Sequence, residues 1–299
     1  MRALVTVGWL SICSLLVACE GDFVPGSTIT ELRLLGMELE TDDGILDVRP
    51  GSSLNASLIL STPEGGDVVA SFFVLACETG SVDPQRGPLC RQAAFSQYVS
   101  PFDATEPAFR VTVPEDYDAE SMLLQGLLCP PGAEPALDVI PEDGVLPPDG
   151  CSDGQIGTVF SLEIPVASED WPNQLPVLVS DNISLNDQPW PLDGGCDMPN
   201  EQVASVGETK VVQFGPFANS IRELTADGEQ ERLLLSHFTT HGEWDRQFSI
   251  FDDLISEAEV EWIAPETPLR AEEITVHFDF VLRDGRLGMT RVRRQLCIR

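Results

Sequence analysis

Histidine, the side chain most often used as a general base, occurs only three times in 299 residues, and His237 and His241 fall with Glu243 and Asp245 inside a nine-residue window. On an extended strand, positions two or four apart share a face. His237 and His241 could therefore grip a metal ion through their imidazoles, with a carboxylate as a further ligand. The spacing is not the helical His-Glu-x-x-His arrangement that sets a zinc protease's ligands. Gly242 is also expected to break the strand before Glu243. The less demanding reading is a strand end and turn carrying solvated polar groups. His237 and His241 are thus weak metal candidates, and nothing else in the chain asks for a metal or cofactor.

Other constellations are weaker still. Asp42-Asp43-Gly44, Pro148-Asp149-Gly150 and Ser152-Asp153-Gly154 offer oxygen ligands for calcium. None has the Asp-x-Asp-x-Asp-Gly spacing with a distal Glu, so ordinary turn chemistry is the simpler account. No Gly-x-Ser-x-Gly elbow, phosphate loop or dinucleotide fingerprint is present. With 49 acidic residues, carboxylate pairs discriminate nothing. The chain reads as non-enzymatic. Trp171, Trp190, Trp244 and Trp262 remain, because an exposed indole can stack on a pyranose face. Trp262 reads as core and Trp171 as a wedge at a domain junction. A glycan site would rest on Trp190 and Trp244.

The cysteines are more informative. Ala3–Ala18 is a short apolar segment behind Arg2, too brief for the roughly 20 residues that span a bilayer, and it ends at Leu16-Val17-Ala18-Cys19. That tetrapeptide resembles the lipobox of bacterial lipoprotein precursors. The resemblance implies acylation of Cys19, cleavage before it and loss of residues 1–18, leaving a membrane anchor and a tether over 19–27. Glu20 lacks the aspartate that favours inner-membrane retention by the enteric rule, so the outer membrane is expected. With Cys13 discarded and Cys19 lipidated, Cys77, Cys90, Cys129, Cys151, Cys196 and Cys297 are left. An even set in an exported chain reads as disulfides, of undecided pairing. Spacing favours Cys77–Cys90 and Cys129–Cys151 as loop staples, and Cys196–Cys297 as a tie between the start and end of a second domain.

Charge narrows the partners. Of 17 basic residues only Arg2 leaves with residues 1–18, so 16 face 49 acidic ones, a net −33. Such a chain repels nucleic acid and anionic lipid. A hydrophobic fraction of 42% is too high for disorder. Arg283, Arg286, Arg291, Arg293, Arg294 and Arg299 crowd the last 17 positions. They could dock an anionic partner or the other domain. The blander reading, a solvated terminal strand pairing with nearby carboxylates, is preferred.

The supporting elements are strands, punctuated by 23 prolines and 24 glycines. Segments over Thr28–Glu40, Leu54–Ser61, Val68–Cys77, Ala108–Val113, Met122–Cys129 and Gly157–Val166 precede a polar break at Ala167–Leu175. Pro63–Asp67 reads as a hairpin loop, Met122–Cys129 as a buried central strand, and Glu142-Asp143-Gly144 as part of an irregular loop. Val177–Leu185, Val203–Phe214, Arg232–Thr240 and Ala258–Ile263 follow. In Ile274–Leu282 one apolar face alternates with a polar one, the pattern of a half-buried antiparallel strand. Asp284-Gly285 then turns the chain into a final strand, with Cys297 on its outer face. Strands every 8–15 residues indicate an all-β chain of two tandem Ig-like or fibronectin-like β-sandwiches, residues 28–168 and 173–299.

Asn173-Gln174-Leu175-Pro176, Thr239-Thr240-His241-Gly242, Trp262-Ile263-Ala264-Pro265 and Phe280–Arg286 occur in that order. With Leu32-Arg33-Leu34-Leu35-Gly36 and Val48–Ser52, they resemble a large, mostly uncharacterised group of surface lipoproteins from predatory and social Gram-negative bacteria. Leu287-Gly288 and Met289-Thr290 depart from that pattern, where paired glycines and an aromatic are common. The resemblance implies two sandwiches on a lipid anchor and lends no activity or ligand residues. The expected role is a lipid-anchored, structural or protein-interaction module of the cell envelope, partnered by an envelope or surface protein. The alternative is a carbohydrate-binding or adhesive surface protein.

Overall fold

The computed structural model describes residues 26–299 except 43–45, 67, 85–86, 137–145, 168–172, 197, 200, 218–221, 226–227 and 267–272. The lipobox with Cys19, Asp43-Gly44, Glu142-Asp143-Gly144 and Trp171 lie outside the described residues.

The first half is a sandwich of two antiparallel sheets. One contains β1 (Arg33–Thr41), β2 (Ser53–Ser61) and β6 (Ala108–Thr112), in the order β1-β2-β6. The other is built from β3 (Ser71–Asp83), β4 (Gly87–Cys90), β7 (Ser121–Cys129) and β8 (Thr158–Pro165), in the order β4-β3-β7-β8, with β5 (Ser96–Val99) also on β3. Their inner faces share a core that includes Leu39, Leu54, Phe72, Leu124 and Ile164.

The second half repeats the plan. One sheet has β9 (Ile183–Leu185), β10 (Gln188–Pro189), β12 (Thr209–Phe214), β14 (Glu243–Trp244) and β16 (Ala258–Ile263), ordered β10-β9-β12-β16-β14. The facing sheet has β11 (Val203–Ala204), β13 (Leu233–Thr239), β15 (Phe248–Phe251), β17 (Ile274–Arg283) and β18 (Met289–Ile298), ordered β11-β18-β17-β13-β15. In both halves the first, second and fifth main strands face the third, sixth and seventh, which is immunoglobulin-like topology. The chain is all-β, as its strand spacing indicates.

Alternation explains the elements. In β16, Val260 and Trp262 are buried while Glu259, Glu261 and Ile263 face out. Trp262 and Phe278 pack edge to face at 5.1 Å between the sheets. Central β7 is buried on both faces, as its largely apolar sequence requires, with buried Gln125 donating from Nε2 to the Pro88 carbonyl at 3.0 Å. Met122, Leu124 and Leu128 enter the main core. Leu123 and Leu127 enter a second layer with Phe73, Leu75 and Leu146. That layer is clasped by Cys77–Cys90 and Cys129–Cys151, and Cys196–Cys297 closes the second sandwich. Cys196 lies across the outer face of β18, its N–H donating to Thr275 Oγ1 at 3.1 Å.

Several local expectations are corrected. Pro63–Asp67 does not join a hairpin: β2 pairs with β1 and β6, and β3 with β4, β5 and β7. The segment carries the chain from one sheet to the other, and positive φ at Gly65 and Gly66 serves an arch as well as a hairpin. Val203–Phe214 is two strands in different sheets, divided at Gly207 with φ +70°. Only Ile183–Leu185 of the segment from Val177 is strand.

Candidate functional site: the joint between the sandwiches and its groove

The sandwiches meet on the outer face of β17, which the sequence pattern left to solvent. Instead β17 is buried on both sides. Its even residues, Val276, Phe278, Phe280 and Leu282, fill the second core. On the odd face, Val281 joins Ile29, Leu35 and Ile59 in an apolar cluster between the halves, with Phe238 and Met289 against it. Alternation marks a strand's two faces but not a neighbouring domain that covers the polar one. The strand is therefore central to two interfaces.

Beside that cluster sits Asp279, its side chain 2% exposed. Ser61 Oγ of the first sandwich donates to Asp279 Oδ2 at 2.7 Å. Arg293 Nε, across the β17–β18 ladder, donates to Oδ1 at 3.0 Å. Arg291 Nη1 lies 3.7 Å from Oδ1 and donates to the Leu60 carbonyl at 3.1 Å. Arg293 also reaches the Gly66 carbonyl, and Arg283 the Leu35 carbonyl. Arg283, Arg291 and Arg293 thus dock the other domain through its backbone carbonyls, around the buried carboxylate of Asp279 in their own sandwich, whereas Arg286 and Arg299 pair with carboxylates of their own half, as expected of a terminal strand. Gly65 fits because a Cβ there would stand 2.1 Å from the His277 ring. Burial, then the Arg293 charge, holds His277 below the ordinary imidazole range. The chain just before β1 adds to the joint: Ile29 N–H donates to the Thr239 carbonyl at 2.8 Å and Thr239 N–H to Ser27 O at 2.9 Å.

The β17–β18 connection forms a second hinge of the joint. Asp284 is 4% exposed and accepts from Asn173 Nδ2 at 2.8 Å, Arg286 N–H at 2.7 Å and Gly288 N–H at 2.9 Å. Burial raises its pKa, and the Asn173 bond partly offsets this. Asn173 in turn exchanges backbone bonds with Leu46 of the first sandwich. Leu287 has φ +69° and packs its part-buried side chain against the first core. A left-handed leucine costs roughly 1–2 kcal/mol, which the partial burial of its side chain offsets. Arg286 Nη2 binds Glu223 at 2.7 Å and its Nε binds buried Glu231 at 2.8 Å, strapping these two residues to this turn.

Next to the strap lies an open groove of about 2060 Å³. Leu234, Ile250 and Arg283, neighbours across the sheet, form its floor, and Glu163 and Pro165 of β8, Glu229 and Asp252 also line it.

The sequence-level candidates fall elsewhere. His237 points into the second core, stacked on Phe214 at 5.1 Å and beside Trp244. Its Nδ1 is 3.2 Å from the Arg246 carbonyl and its Nε2 3.4 Å from Ser249 Oγ. His241 lies beyond the end of β13, with Nδ1 3.2 Å from Thr240 Oγ1. The two do not share a face, because β13 ends at Thr239 before the repeat is complete. Among the described residues, one group of three ligand-type side chains comes together: Cys196, Cys297 and Glu273. Both sulfurs there are locked in a disulfide. Trp190 and Trp244 are 3% and 7% exposed, so neither presents a face to a sugar. Trp190 donates from Nε1 to the Gln295 carbonyl at 3.0 Å and packs on Phe278. An indole N–H that finds a backbone carbonyl buries as readily as a phenyl ring.

Burial pushes the His237 imidazole down to about 4, the Arg246 carbonyl opposing this. The folded state therefore holds it neutral, while the unfolded chain takes up a proton near 6.5. Its contribution is complete above that pH and is lost as pH falls toward 4, about 3 kcal/mol in all. Urea unfolding from pH 7.5 to 4 should lose about that much more stability in the wild type than in His237→Phe. Parallel curves would refute the assignment.

No family model and no curated protein sequence matches the chain. Among solved structures it is similar to the native conformation of E. coli alpha-2-macroglobulin, at 10% identity and TM-score 0.24, covering 88% of this chain and 16% of that one. A protein of unknown function from Porphyromonas gingivalis W83 matches at 12% identity and TM-score 0.22, over 89% and 98% of the two chains. The calcium binding domain CBD12 of CALX1.1 matches at 11% identity and TM-score 0.19, over 82% and 81%. The chain spans about a sixth of the macroglobulin's length. These likenesses define no activity, and the fold stands on the sheets and cores described above.

Proposed function

We propose that the chain is a lipid-anchored, non-enzymatic lipoprotein of the cell envelope that docks a protein partner. The observation that carries this is the joint: Asp279, Ser61 and Arg293, buried beside an apolar cluster, hold the two sandwiches in one orientation. A fixed two-domain body offers a preorganised surface, which lowers the entropy lost on association. The groups first suspected of chemistry have structural employment, His237 in the core and Trp190 and Trp244 between the sheets. The tryptophan basis for a glycan site is therefore gone. The lipobox supports anchoring at Cys19, and the three disulfides suit an oxidising compartment. The outer membrane is the proposed location.

The test is affinity purification of the tagged full-length protein from mildly solubilised envelopes, with mass spectrometry. A stoichiometric envelope or surface protein should follow the wild type, and Cys19→Ala should leave the membrane fraction. Absence of any partner, with lipid intact on Cys19, would overturn the docking role.

A further inference from the structure

An unused line of main-chain groups runs beside the groove on β15, whose Ile250 lies in its floor. β15 is the end strand of its sheet. His237 N–H donates to the Gln247 carbonyl at 2.9 Å, and the register continues through Leu235–Ser249 and Leu233–Phe251. Antiparallel alternation then turns the peptide groups of Ser249 and Phe251 toward β13, and those of Phe248 and Ile250 toward the open edge. Among the described residues nothing hydrogen-bonds the Phe248 or Ile250 backbone.

The side chains there are also unlike a protected edge. Phe248 and Ile250 lie on the outer face at 54% and 37% exposure, and Leu254 just beyond is 93% exposed. Natural edges are commonly guarded by charge, proline or a bulge. Phe248-Ser249-Ile250-Phe251 has none of these, only shortness. Carboxylates stand around it: Asp252 just past the strand's end, with Glu229 and Glu163 also lining the groove. The arginines at the groove floor are already engaged, Arg283 with Ser236 and Leu35, Arg286 with Glu223 and Glu231. The whole chain carries −32, which steers cationic segments toward it.

We propose that β15 receives an extended apolar segment of a partner protein, flanked by lysine or arginine, as an added strand. This names the docking surface of the role proposed above and rests on it. Main-chain bonds to Phe248 and Ile250 supply affinity. Apolar side chains of the added strand continue the Leu234–Ile250 floor, and its flanking cations meet Asp252, Glu229 and Glu163.

The experiment is amide hydrogen exchange on the full-length protein in detergent, with the peptide Lys-Lys-Val-Thr-Val-Thr-Val-Lys-Lys as probe. The Phe248 and Ile250 amides should slow by about tenfold or more on peptide addition, as newly bonded donors do. A peptide with glutamate in place of lysine should leave them unchanged. Ile250→Pro deletes an edge donor that β13 does not use and should abolish binding. Ile250→Lys keeps the backbone intact and should weaken binding by like-charge repulsion. Protection elsewhere, equal protection by the glutamate peptide, or full binding by Ile250→Lys would overturn the proposal. An envelope partner that still follows Ile250→Pro would overturn this surface and leave the docking role standing. A wild type with no partner at all would instead overturn that role.

Discussion

Asp279→Ala should lower the unfolding free energy by about 3–5 kcal/mol, the scale for removing one member of a buried ion pair. The carboxylate has almost no contact with water, and its loss strands Ser61 Oγ and the guanidinium of Arg293 inside the joint. Arg291 loses its nearby anion too. The damage falls on the docking of the sandwiches more than on either core, since Asp279 projects away from Phe278 and Phe280. A single urea transition is therefore expected to split in two, the second sandwich unfolding separately from the first. Ser61→Ala, which removes one neutral donor from the carboxylate, should cost about 1–3 kcal/mol. A loss below about 1 kcal/mol for Asp279→Ala, with one sharp transition kept, would show that the apolar cluster alone holds the joint. The consequence for the proposed function is direct: if docking needs a fixed body, Asp279→Ala should also weaken partner recovery while leaving the proposed lipidation of Cys19 unchanged.

The double variant Cys196→Ala, Cys297→Ala should lose about 4 kcal/mol. The bridge closes a loop of 101 residues, close to the length of the second sandwich. In the chain-entropy account a loop near 100 residues is restricted by about 4.7 kcal/mol and one near 15 by about 3 kcal/mol. Cys77→Ala, Cys90→Ala, across a separation of 13, should therefore cost less. Chemical denaturation of the three proteins side by side gives the ranking. Equal losses, or a larger one for the short loop, would mean that local packing in the outer layer over β7 outweighs loop length. Ala204 beside Ile298 makes that region sensitive too, because β11 pairs with β18 next to Cys297.

How much of this was legible can be argued from particular residues. Alternation in Ile274–Leu282 identified the strand and its core face, since one side is uninterrupted by polar residues. The largely apolar run Met122–Cys129, interrupted only at Gln125-Gly126, identified a central strand, because such a run suits a strand covered on both faces. Even cysteines at loop and domain spacing suggested the disulfides that the structure contains. These are short-range patterns, set by the two-residue period of a strand and by turn chemistry. The groove, by contrast, had no signal. Its lining comes from segments more than 100 residues apart, such as Glu163 and Arg283.

The sequence by itself determined an all-β chain of two sandwiches, its acidity, its six pairable cysteines and the lipobox expectation at Cys19. The tertiary structure alone decided what covers each second face. His237 entered a core, Trp190 and Trp244 turned inward, and Asp279 with its arginines became a joint rather than a solvated strand. The physical reason is that a side chain's period reports which face it shares, whereas its burial depends on what packs against that face. For β17 the covering surface comes from Ile29, Leu35 and Ile59, more than 200 residues away. No local pattern carries that distance.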